Sequence, residues 1–230
     1  MDVTSIFLNK NFVIRSLINI MATIPFSRTN WSLVPSKTTI LNIDPQNDFL
    51  HDDGWYSEKG IDISHMQRVI APINELIPCA RQKGIPIVWT RHGTKSLEDG
   101  GPFMQTREFL REGGLRQNTW GYEILADLNP DNDEDWFVEK TRLSAFYNTS
   151  LEVILRGLRT ETLIITGVLT NQCVGATTKD AIFRDFKPIV IEDCTGTTMP
   201  HLHDPIIECI RNGWGQVNSL SEILSEIDSI

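Results

Sequence analysis

The residue of this chain best placed to act as a nucleophile is Cys173. It belongs to the stretch GVLTNQCV (167–174), which follows the apolar run LIIT (163–166). The pattern predicts a strand that ends in a tight turn, with a helix beginning at the cysteine. Free amides at the start of a helix could stabilise a thiolate or hold an oxyanion. Since cysteines are also common packing residues, position alone leaves both interpretations open.

Two charged residues end other predicted strands. Asp44 directly follows the apolar run 40–43, and Lys140 ends the run that begins at Trp136. Asp44 could accept the proton of the thiol, or it could cap a helix or a turn. Lys140 could stabilise negative charge on either partner and lower the pKa of the thiol, or it could be a solvated strand end. The residues alone leave these alternatives open as well.

Histidine offers the thiol no clear partner. Papain-like chemistry needs a histidine beside the cysteine, whereas His92, His201 and His203 follow predicted strands, where they could line a site or be exposed. Among the other cysteines, Cys194 also follows a strand and is the reserve candidate. The four cysteines form no cluster with zinc spacing, so the sequence predicts neither a metal nor another cofactor.

The elements that must position these residues belong to one domain. The chain has 230 residues, of which 40% are hydrophobic and 22% charged, as in an ordinary soluble α/β protein. Its net charge of −9 argues against nucleic acid as a partner and favours small molecules. Four cysteines are too few for a disulfide scaffold, so we expect a reducing compartment such as the cytoplasm.

Apolar β-type runs alternate with helical patterns along this domain, which predicts a mostly parallel sheet with helices on both faces. Strands are predicted at 38–43, 85–90, 136–139, 163–166, 189–191 and 216–218. Helices are predicted at 64–83, 122–128, 150–158, 173–185, 205–212 and 220–227. Because ligands bind beyond the carboxyl ends of parallel strands, the acid, the amine and the thiol are expected at one edge of the sheet.

Residues 1–30 are interpreted as an N-terminal extension, and residues 31–230 as the domain. The first 24 residues are apolar and mildly basic, but asparagines, a lysine and an arginine interrupt the apolar runs. A membrane span is therefore not expected. The extension could be an organelle-targeting segment, a disordered or docked tail, or the result of a start upstream of Met21.

Three blocks of the sequence resemble the signatures of isochorismatase-like cysteine hydrolases. They are ILNIDPQNDF (40–49), EKTRLSAFYNTSL (139–151) and LIITGVLTNQCV (163–174). The resemblance implies a three-layer, Rossmann-like α/β/α sandwich with a six-stranded sheet, and a homo-oligomer, either a dimer or a tetramer. It also implies a catalytic triad of Asp44, Lys140 and Cys173. Backbone amides of Leu169 and Cys173 would form the oxyanion hole, beside a cis peptide bond between Val168 and Leu169.

Within that family, the segments DGWYSEKGIDIS (53–64), EDGGPF (98–103) and NTWGYEIL (118–125) resemble the ureidoacrylate amidohydrolase and biuret hydrolase branch. That branch implies hydrolysis of a C–N bond in a small amide, ureido or carbamoyl substrate through a thioester. The Asp-x-His…His metal segment of nicotinamidases is missing after the second strand, which disfavours that activity. Alternatives are isochorismatase-type vinyl-ether hydrolysis and a catalytically silent interaction protein of the same fold.

Residues in or beside these blocks are candidates for the pocket wall. Aromatic rings could pack a planar ureido group, an asparagine could bond its carbonyl, and an arginine could pair with a carboxylate. The predicted substrate-binding residues are Asn47, Trp55, Tyr56, Arg91, Trp120, Tyr147 and Asn171, with Arg142 as a second arginine. Each aromatic residue could instead belong to the core, and each arginine to a surface salt bridge.

Overall fold

The computed structural model describes residues 29–230, and almost all of the predicted N-terminal extension lies outside that range. Six strands form one sheet in the order β3-β2-β1-β4-β5-β6, and every pairing is parallel. The strands are β1 (Thr38–Ile43), β2 (Ile87–His92), β3 (Trp136–Lys140), β4 (Thr162–Val168), β5 (Lys187–Gly196) and β6 (Gln216–Asn218). The parallel sheet predicted from the sequence is confirmed.

Helices cover both faces of the sheet. The larger ones are Ile70–Gln82, Leu97–Gln105, Leu151–Gly157, Gly175–Ile182, His203–Cys209 and Leu220–Asp228, with shorter ones at Asn47–Leu50, Trp55–Glu58, Ser64–Gln67 and Glu108–Arg111. One core cluster joins the sheet to helices Ile70–Gln82 and Leu220–Asp228, and a second joins it to Leu151–Gly157 and Gly175–Ile182. The expected three-layer α/β/α sandwich is therefore present.

Strand β1 lies at the centre of the sheet, between β2 and β4. All six of its residues are buried, as expected for a parallel strand covered by helices on both sides. The chain runs outward through β2 and β3, then returns to place β4 on the other side of β1. This reversal of strand order leaves a crevice beyond the carboxyl ends of β1 and β4, where such sheets bind ligands.

The prediction of a helix over residues 122–128 is wrong. Short 3₁₀ turns at Trp120–Tyr122 and Ala126–Leu128 flank an extended stretch instead. Its backbone bonds to the segment after β1, with the amide of Asn47 donating to the carbonyl of Glu123 and the amide of Leu125 donating to Pro45. Hydrogen bonds to a distant segment thus replace those that a helix would make.

Other element boundaries also differ from the prediction. The helix predicted over 64–83 is divided into Ser64–Gln67 and Ile70–Gln82, and the one predicted over 205–212 ends in a wide turn at Ile210–Trp214. Helix Leu97–Gln105 was not predicted, since glycines and a proline interrupt its pattern, and Gly101 kinks it at a φ of 55°. Within residues 29–230, no helix is long and apolar enough to cross a membrane.

Candidate active site

Asp44 turns the chain sharply where β1 ends. Its φ is 51°, in the left-handed region that aspartate tolerates better than most residues. Its amide donates to the hydroxyl of Thr90 at 3.0 Å, and that hydroxyl donates in turn to Oδ1 of the Asp44 carboxylate. The carboxylate is completely buried, so strand β2 holds it at the carboxyl edge of the sheet.

The end of β4 approaches β1 more closely than a side chain would allow. Gly167 pairs with Ile43, has a φ of 105°, and would place a Cβ atom 2.1 Å from the carbonyl oxygen of Ile43. Only glycine fits such a position. The Val168–Leu169 peptide bond that follows is cis, and a π-helical turn over Thr170–Val174 then carries Cys173. Helix Gly175–Ile182 begins after this turn and not at the cysteine itself.

Lys140 lies among four acceptor atoms at the end of β3. Its Nζ is 2.6 Å from Oδ2 of Asp44, 3.1 Å from Nδ1 of His92, 3.1 Å from the carbonyl oxygen of Arg142 and 3.3 Å from Sγ of Cys173. An ammonium group has three protons, so it cannot serve four acceptors at once. Residues that end three different strands thus meet at one amine, which is itself fully buried.

Burial controls the resting state of the thiol. Desolvation raises the pKa of Cys173 well above its usual range, and the nearby Asp44 carboxylate raises it further, while Lys140 acts in the opposite direction. Lys140 does act to lower the pKa of the thiol, as expected, but desolvation exceeds the attraction of the amine, so the net shift is upward. Cys173 is a neutral thiol until a neighbour takes its proton.

The lysine itself stays charged. Burial alone lowers its pKa, but attraction to the Asp44 carboxylate and the hydrogen bond to the Cys173 sulfur outweigh burial, and the pKa of Lys140 is raised. His92 behaves in the opposite way, since burial and the charge of Lys140 both hold the pKa of its imidazole well below the usual value. The imidazole is therefore neutral, and Nδ1 accepts a hydrogen bond from Lys140.

Asp44, His92 and Cys173 could in principle ligate a metal ion. One donor atom from each lies within 4.8 Å of the others, and all three residues are buried. Lys140 Nζ, however, contacts all three of them, so a positive charge already occupies the space between the donor atoms. A divalent cation there would face strong repulsion. This arrangement supports the expectation of a metal-free site, which stays a prediction.

A narrow cavity opens in front of the thiol. Its wall is mainly apolar, with Tyr56 and three cationic or polar side chains among aliphatic and aromatic ones. The lining residues are Phe49, Tyr56, His92, Phe103, Arg107, Leu110, Leu115, Leu143, Leu169, Gln172 and Cys173. At about 220 Å³ the cavity is smaller than an ordinary ligand pocket, so its walls must move apart before a small planar compound can present a carbonyl carbon to the sulfur.

Of the predicted substrate-binding residues, only Tyr56 lines this cavity. Asn47 is buried, but its side-chain amide donates to the carbonyl of Trp120 and so fixes that loop. Trp55 bonds through its indole to the carbonyl of Phe109, outside the lining. Asn171 belongs to the π-helical turn that carries Cys173, but it is outside the cavity lining and accepts a hydrogen bond from the Thr197 hydroxyl.

The other three predicted residues lie at the surface or face away. The rings of Trp120 and Tyr147 are 53% and 60% exposed. Arg91 forms ion pairs with Glu123 and Glu139, at 2.8 and 3.2 Å. It follows Thr90 and precedes His92 on β2, and alternate residues of a strand point to opposite faces. Thr90 and His92 face the thiol, so Arg91 faces away from it.

His92, which the sequence analysis names as able to line a site, does line the cavity, on the face of β2 opposite to Arg91. Arg107, Phe103 and Gln172 were not predicted to line it. Arg107 and Phe103 belong to the kinked segment 97–111, whose helices were not predicted. Gln172 directly precedes the cysteine, but nothing in its local pattern indicates which way it points. Its partner, Arg107, is 65 residues away in the chain.

Comparisons with known proteins show which families and folds this chain resembles. Residues 38–222 match the family model of the isochorismatase domain. A curated relative, ureidoacrylate amidohydrolase RutB from Klebsiella pneumoniae subsp. pneumoniae, is 31% identical over 194 residues. The match covers 78% of this chain and 82% of the relative.

Solved structures share the fold at lower identity. A cysteine hydrolase from Pseudomonas syringae pv. phaseolicola superposes with a TM-score of 0.81 at 22% identity, covering 90% of this chain and 99% of that one. N-carbamoylsarcosine amidase from Thermoplasma acidophilum superposes with a TM-score of 0.66 at 22% identity, covering 80% of this chain and 96% of that one. At these identities the likeness concerns the fold.

Proposed function

Because this chain belongs to the isochorismatase family, we propose that it is a cysteine hydrolase that cleaves a C–N bond of a small amide or ureido compound. Asp44, Lys140 and Cys173 are its catalytic residues. The names of two similar proteins, an amidohydrolase of ureidoacrylate and an amidase of N-carbamoylsarcosine, support this class of substrate.

One observation carries the proposal, namely a buried carboxylate oxygen that faces the thiol and can still accept a proton. Oδ2 of Asp44 has no hydrogen-bond donor of good geometry among residues 29–230, although Lys140 Nζ lies 2.6 Å away. The ion pair with Lys140 compensates the charge of this oxygen, which still has a lone pair for a proton. Cys173 can transfer its proton to Oδ2 of Asp44, and the protonated carboxyl group can then donate a hydrogen bond itself.

The first half of the reaction forms a thioester. As Cys173 Sγ attacks the carbonyl carbon, its proton moves to Asp44, and Lys140 stabilises the negative charge that develops on sulfur. The amides of Leu169 and Cys173 hold the carbonyl oxygen as it becomes an oxyanion. The intermediate collapses, the C–N bond breaks, and Asp44 returns the proton to the departing nitrogen. Ammonia or an amine leaves.

The second half regenerates the enzyme. A water molecule that gives its proton to Asp44 attacks the thioester carbon, and the carbon–sulfur bond breaks. Asp44 then returns the proton to the sulfur, so each turnover consumes one water and leaves the thiol neutral. The raised pKa of Cys173 supports this order of steps. A thiolate with a high pKa takes its proton back readily, so the enzyme returns to the neutral thiol after each turnover.

The test is hydrolysis by Cys173→Ala. Ammonia release from ureidoacrylate, biuret and N-carbamoyl amino acids should identify a substrate for the wild-type chain. On that substrate, removing the nucleophile should lower kcat by about 10⁴-fold or more, as in other acyl-transfer triads. Mass spectrometry of a quenched wild-type reaction should detect an acyl adduct on the peptide that contains Cys173.

Cys194→Ala is the matched control, because Cys194 is also a buried cysteine with a pKa raised by burial. It is outside the cavity lining, so its loss should change kcat by less than about 3-fold, while the free energy of unfolding falls by about 1–2 kcal/mol. Wild-type turnover in Cys173→Ala would refute the proposed nucleophile.

A further inference from the structure

The cavity in front of Cys173 carries one arginine, Arg107, which the proposed chemistry does not use. Its guanidinium lies 4.1 Å from the centre of the Phe103 ring and donates to Oε1 of Gln172 at 2.6 Å. A second hydrogen bond runs to the hydroxyl of Thr106. Both acceptors are neutral, and the side chain is half-buried.

Arg107 forms no ion pair with an acidic residue among residues 29–230. Arg68, Arg111, Arg116, Arg142 and Arg159 form none there either, but they are outside the cavity lining, whereas Arg107 belongs to it. Arg81, Arg91, Arg156, Arg184 and Arg211 each form an ion pair with an aspartate or glutamate. The cavity lining itself contains no acidic residue. A guanidinium that is half-buried and has only neutral acceptors is therefore ready to bind an anion.

The position of Arg107 joins two spaces. It lines the narrow cavity that reaches Cys173, and it also lines a larger adjoining pocket, together with Tyr56, Leu169 and Gln172. Arg107 and Gln172, which are joined by a hydrogen bond, line both spaces. Arg107, Gln172 and Cys173 line the same cavity, so a ligand group that replaces Gln172 Oε1 on the guanidinium would lie in the space that also reaches the thiol.

We propose that Arg107 binds a carboxylate of the substrate, so that the enzyme acts on an amide or ureido acid and not on a neutral amide. This inference rests on the proposed function, since it assigns the other end of the same substrate. Two parallel hydrogen bonds from the guanidinium to the carboxylate replace the single bond to Gln172. The apolar walls around Phe103 and Tyr56 then cover the carbon atoms between carboxylate and scissile carbonyl.

Arg107 is a specificity-determining residue in this arrangement. A carboxylate contributes negative charge that the mainly apolar wall cannot otherwise accommodate. The methyl ester of the same acid adds one carbon atom, carries no charge and cannot form the charged, bidentate pair. The ratio of affinities for acid and ester therefore measures what Arg107 does, independently of how well the cavity is folded.

The experiment measures binding and not turnover. In a Cys173→Ala background, calorimetry gives Kd for ureidoacrylate and for its methyl ester, first with Arg107 and then with Arg107→Gln. We expect the acid to bind at least about 10-fold more tightly than the ester when Arg107 is present. Arg107→Gln should remove that preference, and the affinity for the ester should change by less than about 3-fold.

Arg91→Gln is the matched control, since Arg91 is another arginine beside the sheet edge but pairs with Glu123 and Glu139. It should leave the acid-to-ester ratio unchanged. Equal binding of acid and ester, undetectable binding of the acid, or an unchanged ratio in Arg107→Gln would overturn the assignment, even if the wild-type chain hydrolyses ureido compounds. Conversely, an Arg107-dependent ratio without any hydrolysis would leave the anion site standing and refute the proposed function.

Discussion

The sheet carries a buried ion pair at each end, and the two pairs have opposite designs. At the carboxyl end, Lys140 and Asp44 lie 2.6 Å apart and both side chains are fully buried. At the amino end, Arg81 and Asp135 lie 2.7 Å apart, with the aspartate 3% and the arginine 34% exposed. Charge, distance and burial of the acid are thus nearly matched, but the surrounding donors are not.

Asp135 is saturated with donors. Its Oδ2 accepts from Arg81, from the indole of Trp89 and from the amide of Asp131, at 2.7, 2.8 and 2.9 Å. Asp44 accepts from the Thr90 hydroxyl at Oδ1, while Oδ2 faces the amine and the thiol without a hydrogen bond of good geometry. A carboxylate surrounded by donors stabilises the fold, whereas one with an open lone pair can move a proton.

Replacing the cation of each ion pair should show the largest difference between the two ends of the sheet, in both stability and kcat. Lys140→Met leaves Asp44 as a fully buried, unpaired charge, so we expect the free energy of unfolding to fall by about 3–5 kcal/mol and kcat to fall by about 10²–10³-fold. Arg81→Met leaves Asp135 with two other donors, so the loss of stability should be about 1 kcal/mol. Urea unfolding and steady-state kinetics measure both variants.

The difference in kcat between the two variants tests whether Lys140 has a catalytic role. Arg81→Met should retain kcat within about 2-fold, because its pair lies at the opposite edge of the sheet from Cys173. If both variants lost activity in proportion to their loss of stability, Lys140 would be a structural cation like Arg81.

Acid should weaken the carboxyl end in particular, because that end contains buried neutral histidines. His203 bonds through Nδ1 to the Thr170 hydroxyl and through Nε2 to Arg68, both at 2.9 Å. Burial, Arg68 and His65 lower its pKa to about 4, below the usual 6.5. The neutral form stabilises the fold above pH 6.5, and this contribution is lost as the pH falls from 6.5 to 4, since the unfolded chain takes up the proton first.

For His203 alone this loss amounts to about 2 kcal/mol between pH 7 and pH 5. Urea unfolding at several pH values in that window should give a shallower slope for His203→Gln than for the wild type. His201→Gln is the control, because His201 is exposed and should retain the wild-type slope. Identical slopes in all three proteins would exclude His203 as the titrating group.

Two neighbouring residues of β2 allow the finest test, since each donates to one of the two aspartates. Thr90→Val removes a donor from Asp44, and Trp89→Phe removes one from Asp135. Each should lower the free energy of unfolding by about 1–2 kcal/mol. Only Thr90→Val should also lower kcat, by about 10-fold, because the orientation of the proposed base depends on that hydroxyl.

Thr90→Ser serves as the matched variant, since it keeps the hydroxyl and should restore most of the lost kcat. A Trp89→Phe chain with an equal loss of kcat would mean that the two ends of the sheet are coupled through β2. The distinction between a stabilising and a reactive carboxylate would then fail.

The strand ends that form the site could be predicted from the sequence. Apolar runs ended at Asp44, at Lys140 and shortly before Cys173, and parallel strands bring such ends to one edge. The alternation along β2 also places His92 on the face opposite to Arg91. These features depend on covalent order and on a two-residue period, which no distant contact can change.

Tertiary structure decided what depends on segments far apart in the chain. The thiol of Cys173 is neutral because packing removes it from water, which no local pattern around the cysteine expresses. Arg107, and not Arg91, reaches the cavity because a kinked segment with two glycines and a proline folds over it. The sequence by itself determined which residues stand at the ends of the strands. Only the folded chain decided their solvation and their neighbours, since burial and charge are sums over the whole surroundings.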